Sequence, residues 1–366
     1  MARISAGFPS RCAGRKGVGF VRRSGRAPRK RLALIWVALL ALVAGGSIAL
    51  LGNSSGSPAP PLPAHAADRV PFGAFLGSES DGTSQVPAFD DWLNGLPAGA
   101  ALPAGAERMT VGHTYLAGNN WSDIEGDPAI LGPWTAWHRA NPGSLLVLNV
   151  PMLVPNEQPT GDAAVAGLLG QGAAGDFDQY FRILAQRLVA DGAGDTILIP
   201  GWEMNGTTYT SRCAPDPTAW QGYWRQIVDT MRAVPGARFR FDFDPTRGLN
   251  AIPWTACYPG DAYVDIIGMD NYDQTPGSTF ADYVDQPYGL AEQVSFAAAH
   301  HKPVSYPEWG LFDYGDDPTF VTDMLGWIAT HDVVYQTLTD YCPHGFFACA
   351  QNPLSGAAYR AQLGER

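Results

Sequence analysis

Lysine is almost absent from this 366-residue sequence, and its basic residues are concentrated at the beginning. Lysine occurs only at positions 16, 30 and 302, and ten of the 24 Lys and Arg residues fall within residues 1–31. The rest of the chain carries 14 basic against 35 acidic residues, a formal charge of −21. So acidic a domain argues against nucleic acid and anionic membranes as partners, and it suits a neutral substrate.

Cysteine is also scarce, with five residues, of which four lie outside the basic segment. Their spacing matches no zinc-binding pattern, and an even number in an exported protein indicates two disulfides. We expect Cys342 to pair with Cys349 and Cys213 to pair with Cys257, because each pair lies in one loop or in neighbouring loops. Neither a metal site nor a cofactor is expected.

The first 68 residues do not have the composition of a folded domain. Residues 1–31 are basic, residues 32–51 are apolar, and residues 52–68 form a linker rich in Pro, Ser, Gly and Ala. This order is typical of a secretory leader, but twenty apolar residues also suffice for an uncleaved single-span membrane anchor. Either alternative puts the domain at 69–366 outside the cytoplasm, secreted or anchored to the outer face of the cytoplasmic membrane. The scarce lysine and abundant Ala, Gly, Pro and Arg indicate a bacterial chain, expected to be a monomer.

Short apolar strands alternate with helical stretches along the domain. Helical spacing is clear after the third, fourth and seventh strands, and weak after the first, second and fifth, where Pro- and Gly-rich loops take much of the length. This order predicts an α/β fold closed as a (β/α)8 TIM barrel, with a doubly wound sheet as the alternative. No glycine-rich fingerprint follows the first strand, which weakens that alternative. The predicted strands are 71–77, 109–115, 144–153, 196–203, 238–244, 264–272, 303–310 and 333–340.

Polar residues stand at the predicted C-terminal ends of these strands, which meet on one face of a (β/α)8 barrel. Glu203 ends the fourth strand and Glu308 ends the seventh. Two such carboxyl groups are what hydrolysis of a glycosidic bond requires: one protonates the leaving oxygen, and the other attacks the anomeric carbon or activates water. A nearby second carboxylate raises the pKa of the acid and keeps it protonated. The other polar strand ends are His113, Asn149, Asp242, Asp244, Asp270 and Tyr272.

The segments around these glutamates resemble glycoside hydrolase family 26, which is best known for β-mannanases. "GWEMNG" around Glu203 is similar to the segment around the acid/base of that family, and "PEWG" around Glu308 resembles the segment around its nucleophile. "YVDIIGMDNY" looks like the preceding strand, which ends in Asp-x-Tyr, and "PFGAFLG" looks like the opening strand. The resemblance runs from about residue 70 to about residue 340, and it is specific near the two glutamates.

This resemblance implies a retaining (β/α)8 hydrolase that works by double displacement. Glu203 would be the general acid/base and Glu308 the nucleophile, with their carboxyl groups roughly 5 Å apart. Tyr272 would hydrogen-bond the nucleophile, and a tryptophan beside either glutamate would stack on the sugar. The residues predicted to bind substrate are Trp202, Asn205, Asp270, Tyr272, Trp309 and His113.

The sequence departs from the family around the sugar. Trp202 stands where the family has a histidine, "NVPMLVP" lacks the histidine expected after the third strand, and "TLTDYC" lacks the tryptophan expected at the end of the eighth. The leading prediction is an exported hydrolase of a neutral β-linked polysaccharide, with endo-β-1,4-mannan the first choice. Two alternatives stay open: the same mechanism on another β-glycan (a glucan, a xylan or an envelope polysaccharide), and a carbohydrate-binding protein without turnover.

Several of these residues also have an explanation that involves structure alone. Trp202 and Trp309 are equally consistent with core aromatics, and His113 with a buried structural histidine. The acidic loop "FDYGDDP" (312–318) lacks the ligand spacing of a recognised calcium site, and we interpret it as a solvated loop that faces the substrate.

Overall fold

The structure is a computed structural model that describes residues 69–364, all within one compact unit. The predicted basic segment, apolar segment and linker (1–68) lie outside the described residues. Within the part of the chain that is described, no helix combines the length and apolarity needed to cross a membrane.

Nine short strands within residues 69–364 form one closed parallel barrel. They are β1 (Phe72–Phe75), β2 (Val111–Tyr115), β3 (Leu145–Val150), β4 (Ile197–Pro200), β5 (Arg240–Phe243), β6 (Ile266–Ile267), β7 (Asn271–Asp273), β8 (Val304–Leu311) and β9 (Val333–Thr339). Neighbouring strands pair in chain order, and β1 closes the barrel by pairing with β9. Both β6 and β7 pair with β8, so they are two pieces of the sixth of eight barrel strands. The predicted TIM barrel is confirmed, and the doubly wound alternative is wrong.

Ten helices of the described residues surround this barrel. They are α1 (Ser80–Leu93), α2 (Trp121–Ile124), α3 (Pro128–Ala140), α4 (Asp162–Ala173), α5 (Asp178–Ala190), α6 (Pro217–Arg232), α7 (Phe280–Asp285), α8 (Leu290–Ala299), α9 (Pro318–Ala329) and α10 (Pro353–Leu363). The three predicted amphipathic helices are α5, α6 and α9, and each buries its apolar face.

The expectation of weak helices after the first two strands is wrong. Helices α1 and α3 run for 14 and 13 residues although each contains an internal proline, Pro87 or Pro133. Fully buried side chains such as Phe89 and Trp134 hold these helices on the barrel, and burial of that size outweighs the cost of one proline. After β5 the expectation is confirmed, because only a 3₁₀ turn (Trp254–Cys257) follows.

Local sequence explains where three helices begin. Asp127, Asp216 and Asp317 each precede a proline, and each aspartate side chain accepts a hydrogen bond from a backbone amide of the first turn. An aspartate cap followed by proline satisfies free amide groups and presets the helical φ angle. These caps fix where α3, α6 and α9 start after their loops.

Alternate residues of the strands face opposite sides of the barrel wall. Val147, Ile197 and Ile199 belong to a cluster inside the barrel, whereas Leu148 and Leu198 join the larger core between the strands and the helices. Two buried faces explain why these strands are nearly continuous apolar runs. Polar side chains inside the barrel therefore cluster where the strands end.

Two disulfides fasten loops at the C-terminal ends of the strands. Cys213 pairs with Cys257, joining the segment after β4 to the 3₁₀ turn after β5, and Cys342 pairs with Cys349 after β9. These are the two pairs expected from the sequence. They connect loops on the face where the strand ends converge.

Candidate active site

Glu203 lies in a tight turn that directly follows β4. Gly201 (φ 57°) and Glu203 (φ 49°) both have left-handed backbone conformations, which cost a non-glycine residue about 1 kcal/mol or more. The Glu203 amide donates to the Asp244 carbonyl at 2.8 Å, which ties the turn to the segment after β5. Backbone strain of this kind is concentrated at functional sites.

Asn205 supports the same turn from within the protein. Its amide nitrogen donates to the Thr246 carbonyl (2.9 Å), and its side-chain oxygen accepts from the Thr246 amide (3.0 Å). The side chain is fully buried and replaces backbone hydrogen bonds that the irregular turn cannot make. The structure therefore gives Asn205 a structural place instead of the predicted substrate contact.

Glu308 lies inside β8, where three side chains donate hydrogen bonds to its carboxyl group. The Tyr272 hydroxyl donates to Oε2 at 2.7 Å, and the Asn149 amide donates to Oε1 at 3.4 Å. The Tyr115 hydroxyl is the third donor. Such donors favour the ionised form of the carboxyl group. The hydrogen bond from Tyr272 was expected from the sequence, and those from Asn149 and Tyr115 were not.

Glu203 lies close enough to Glu308 for the charge of Glu308 to act on it. Burial, together with the charge of Glu308, raises the pKa of Glu203 to about 8. Burial also raises the pKa of Glu308, but the hydrogen bonds from Tyr272 and Tyr115 act in the opposite direction. The geometry therefore gives a carboxylic acid at Glu203 and a carboxylate held by donors at Glu308, as required for two different catalytic roles.

His113 lies behind the site rather than in it. Asn149 donates its amide to Glu308, so its oxygen faces His113 and accepts the Nε2 proton at 2.8 Å. The Nδ1 atom lies 2.9 Å from the Thr337 hydroxyl. Complete burial lowers the pKa of His113 to about 4, so the ring is neutral. His113 orients Asn149, and the structure does not place it in the predicted contact with substrate.

Three aspartates lie buried beneath the glutamates. Asp242 accepts from Ser305 (2.6 Å) and Tyr335 (2.7 Å), whereas the carboxyl oxygens of Asp244 and Asp270 are buried without a hydrogen-bond partner among the described residues. Burial raises the pKa of both Asp244 and Asp270 well above the usual range, and a neighbouring charge adds to each shift, that of Asp242 for Asp244 and that of Asp244 for Asp270. Asp270 is 1% exposed and acts as an electrostatic neighbour of the glutamates, and its contact with substrate stays a prediction.

A pocket of about 400 Å³ opens beside Glu308 on the C-terminal face of the barrel. None of the residues that line it is a Lys, Arg or His. Five of its 14 lining residues are aromatic. The lining residues include Phe75, Tyr115, Asn156, Glu157, Trp202, Tyr209, Glu308 and Tyr341.

The two tryptophans beside the glutamates have different places. Trp202 forms part of the pocket wall and packs against Tyr209 (ring centroids 4.7 Å apart) and Tyr115 (5.8 Å). Trp309 is fully buried, and its Nε1 donates to the Gln336 side chain at 2.6 Å. Because successive residues of a strand face opposite sides, Trp309 points into the core, away from the side where Glu308 lies. Its predicted role against the sugar is replaced by a packing role.

Sequence reasoning missed three tyrosines of the pocket. Tyr115 is the last residue of β2. Because site residues of a barrel lie at the C-terminal ends of its strands, this position in the sequence was a usable signal. Tyr209 and Tyr341 follow β4 and β9 in loops, where no local pattern predicts their direction. Both line the pocket only because the loops fold back over the barrel.

The structure also describes the acidic loop at 312–318. Asp313 accepts hydrogen bonds from the Thr275 amide and hydroxyl, both at 3.1 Å. Asp316 accepts from the backbone amides of Leu354 and Ser355. Among residues 69–364, no group of three or more His, Cys, Asp and Glu side chains is arranged to hold a metal ion.

Comparison with known proteins gives one family and one fold. Residues 198–304 match the sequence profile described as "Glycosyl hydrolase family 26". The mannan endo-1,4-β-mannosidase of Bifidobacterium adolescentis is 25% identical over 224 residues, which cover 57% of this chain and 21% of that protein. The chain thus spans about a fifth of the length of the curated relative that it matches.

Solved structures share the barrel at low sequence identity. The YdhT protein from Bacillus subtilis superposes with a TM-score of 0.58 at 17% identity, covering 83% of this chain and 89% of that one. The Bacillus subtilis mannanase BCman superposes with a TM-score of 0.57 at 18% identity, covering 80% of this chain and 85% of that one. The modular endo-β-1,4-mannanase from Cellulomonas fimi superposes with a TM-score of 0.55 at 17% identity, covering 80% of this chain and 76% of that one. At these identities the likeness is evidence of the fold. The profile match and the shared barrel confirm the resemblance to glycoside hydrolase family 26, and together with the mannosidase relative they support a glycoside hydrolase.

Proposed function

We propose that this chain is a retaining glycoside hydrolase that cleaves a β-linked polysaccharide, with endo-β-1,4-mannan as the leading substrate. Glu203 is the general acid/base, and Glu308 is the nucleophile. The observation that carries the proposal is the contrast between them: Glu203 has its pKa raised to about 8, while three donors hold the neighbouring Glu308 as a carboxylate.

The reaction follows from these two states. The Glu308 carboxylate attacks the anomeric carbon while the Glu203 proton passes to the leaving glycosidic oxygen, which gives a glycosyl ester on Glu308. Glu203, now ionised, takes a proton from water, and that water attacks the same carbon and releases Glu308. Two displacements at one carbon retain its configuration. Tyr272 and Asn149 orient the nucleophile throughout.

The choice of substrate rests on two supports. The curated relative and several solved structures with the same fold are mannanases by name. The pocket carries no cationic side chain, and the chain outside the first 31 residues is strongly acidic, which favours a neutral glycan over a polysaccharide with acidic groups.

We also propose that the enzyme works outside the cytoplasm, either secreted or anchored to the outer face of the membrane. The two disulfides support this location, because such bonds persist mainly in oxidising compartments. Fractionation of the producing cells tests it. Finding the mature protein in the cytosol with free thiols would contradict the proposal.

The test of function is release of products from a panel of β-mannan, β-glucan, xylan and bacterial wall polysaccharides by the full chain. We expect activity on one of them, with mannan first. Glu203→Gln and Glu308→Gln are each expected to lose at least about 10³-fold in kcat, as for removal of a catalytic carboxyl group. Binding without turnover on every glycan would instead favour a carbohydrate-binding protein.

Azide identifies the nucleophile. In Glu308→Ala the cavity admits azide, which attacks the anomeric carbon directly and gives a glycosyl azide of inverted configuration. In Glu203→Ala azide instead attacks the glycosyl ester and gives a product of retained configuration. The opposite pairing would exchange the two roles and disprove the assignment.

A further inference from the structure

Exposed aromatic side chains are few in the described residues and are concentrated beside the site. The large apolar side chains that are strongly exposed include only three aromatics, Phe312 (45%), Tyr314 (42%) and Tyr341 (48%). All three follow the C-terminal ends of β8 and β9. A clustered exposed apolar surface of this kind usually marks a binding site.

Phe312 has a firm support beneath one face of its ring. It lies four positions after Glu308 and stacks on His344 with ring centroids 5.0 Å apart and an angle of 12°. His344 is itself buried, and its Nδ1 donates to the Leu311 carbonyl at 2.7 Å. Phe312 as a whole is 45% exposed, so His344 covers only part of this side chain and much of it is open to solvent.

The loop that carries Phe312 is tied down on both sides. The Asp313 amide donates to the Asp273 carbonyl (2.9 Å), and the Asp313 side chain holds Thr275. The Tyr314 hydroxyl donates to the Gly277 carbonyl at 2.6 Å. An aromatic ring held in place this way loses little entropy when a ligand covers it.

Phe312 lies outside the pocket lining but is connected to it. Phe75 and Tyr341 line the pocket, and Tyr341 packs against His344 (5.1 Å), which supports Phe312. His344 also contacts Tyr272 (4.8 Å), the tyrosine that holds the nucleophile. Phe312 is therefore connected to the pocket through His344 and Tyr341, and a ligand that reaches Phe312 from the pocket extends beyond the pocket.

We propose that Phe312, supported by His344, is a platform that stacks against one further sugar ring of the substrate chain, outside the pocket that holds the ring beside Glu308. This inference rests on the proposed function and adds a binding subsite to it. A pyranose ring presents C–H groups on its faces and hydroxyls at its edge, so an open aromatic face with solvent around it suits a neutral sugar. Only a chain long enough to span both positions uses the platform.

The test compares Phe312→Ala with Phe312→Tyr and with Leu354→Ala, an exposed apolar side chain (62%) on α10 outside the pocket lining. Turnover of mannotriose and mannohexaose is measured for the full chain. We expect Phe312→Ala to lower kcat/KM about tenfold on mannohexaose through KM, with less than about twofold change on mannotriose. Phe312→Tyr keeps a ring and is expected to match the parent, as is Leu354→Ala.

A second measurement separates this inference from the proposed reaction. Binding of the same two oligosaccharides is titrated in the Glu308→Gln background, with and without Phe312→Ala, and with a matched series of β-1,4-linked glucose. Length-dependent loss of affinity supports the platform even if the parent turns nothing over, in which case the proposed hydrolysis fails and the subsite stands. Equal loss on short and long chains would mean that Phe312 only supports His344 and Tyr272. No loss, or no binding of any oligosaccharide, also overturns the inference.

Discussion

Glu203 and Glu308 are the same residue type in two unlike surroundings. Glu203 stands in a strained turn with the charge of Glu308 nearby, whereas Glu308 receives hydrogen bonds from Tyr272, Asn149 and Tyr115. Donors to a carboxylate lower its pKa, and a neighbouring negative charge raises the pKa of the other carboxyl group. At the residue scale, these surroundings separate the acid from the nucleophile.

Tyr272→Phe tests this separation. Loss of the 2.7 Å bond to Glu308 Oε2 favours the protonated form, so the pKa of Glu308 rises. Hydrogen bonds to charged groups contribute roughly 1.5–3 kcal/mol, and one pKa unit is about 1.4 kcal/mol. We therefore expect the acidic limb of the pH profile of kcat/KM to move up by about one to two units.

A buried tyrosine of the same strand as Glu308, outside the pocket lining, is the control for that experiment. Tyr306 is fully buried and accepts a hydrogen bond from Trp327 Nε1 at 2.6 Å. Tyr306→Phe is expected to reduce stability without moving either limb of the pH profile. An unchanged acidic limb in Tyr272→Phe would show that this hydroxyl does not set the charge of the nucleophile.

Asp270→Asn tests whether the buried Asp244–Asp270 pair holds a proton in the folded protein, through the pH dependence of stability. The folded protein keeps a proton on the Asp244–Asp270 pair, because burial raises both pKa values, whereas the unfolded chain releases it above about pH 4. A raised folded-state pKa makes stability greatest below that pH and lowers it as the pH rises. We expect Asp270→Asn to flatten the fall in unfolding free energy between pH 5 and pH 8, by up to about 1.4 kcal/mol per pH unit.

Urea unfolding at the two pH values measures this effect, and Asp323→Asn on the exposed side of α9 is the matched control. If both substitutions leave the same pH dependence as the parent, the pair does not hold a proton in the folded state.

The turn after β4 is the element on which the site depends most. Gly201 has φ 57°, and a Cβ atom there would lie 2.5 Å from Met152 Sδ. Gly201→Ala therefore meets both an unfavourable backbone conformation and a clash, and we expect about 2–4 kcal/mol of lost stability with reduced kcat from a displaced Glu203. Thermal unfolding and kinetics measure the two effects.

Gly132→Ala provides the comparison at the same scale. Gly132 lies inside α3 with no atom within 4 Å of the added Cβ. Alanine is the better helix former, so a gain of about 0.5–1 kcal/mol is expected. A Gly201→Ala protein as stable as the parent would show that the turn relaxes freely.

At the scale of the whole molecule, two disulfides constrain loops of very different length. The separations are 44 residues for Cys213–Cys257 and 7 for Cys342–Cys349. Loop-closure entropy assigns them about 4 and about 2.4 kcal/mol. Replacing each pair by alanine is therefore expected to cost more for Cys213–Cys257, as measured by urea unfolding, and equal losses would contradict the entropic account.

The sequence by itself determined much of this architecture. Apolar runs such as residues 144–153 must be buried on both faces, so eight of them with helices between them predict a parallel sheet, with the barrel as the leading closure and a doubly wound sheet as the alternative. The positions of Glu203 and Glu308 at strand ends followed from the same pattern, because the ends of parallel strands converge. Helix faces were also predictable from short-range spacing, and both cysteine pairs from their places in one loop or in neighbouring loops.

Only the tertiary structure decided which polar side chains face the pocket. His113, Asn205 and Trp309 are buried, while Tyr209 and Tyr341 line the pocket. Their directions depend on partners far away in the chain: His113 bonds Thr337, 224 residues away. Helices α1 and α3 likewise form through packing on the barrel in spite of their prolines. Local patterns record which residues must be buried, but the contacts that orient a side chain exist only once distant segments have come together.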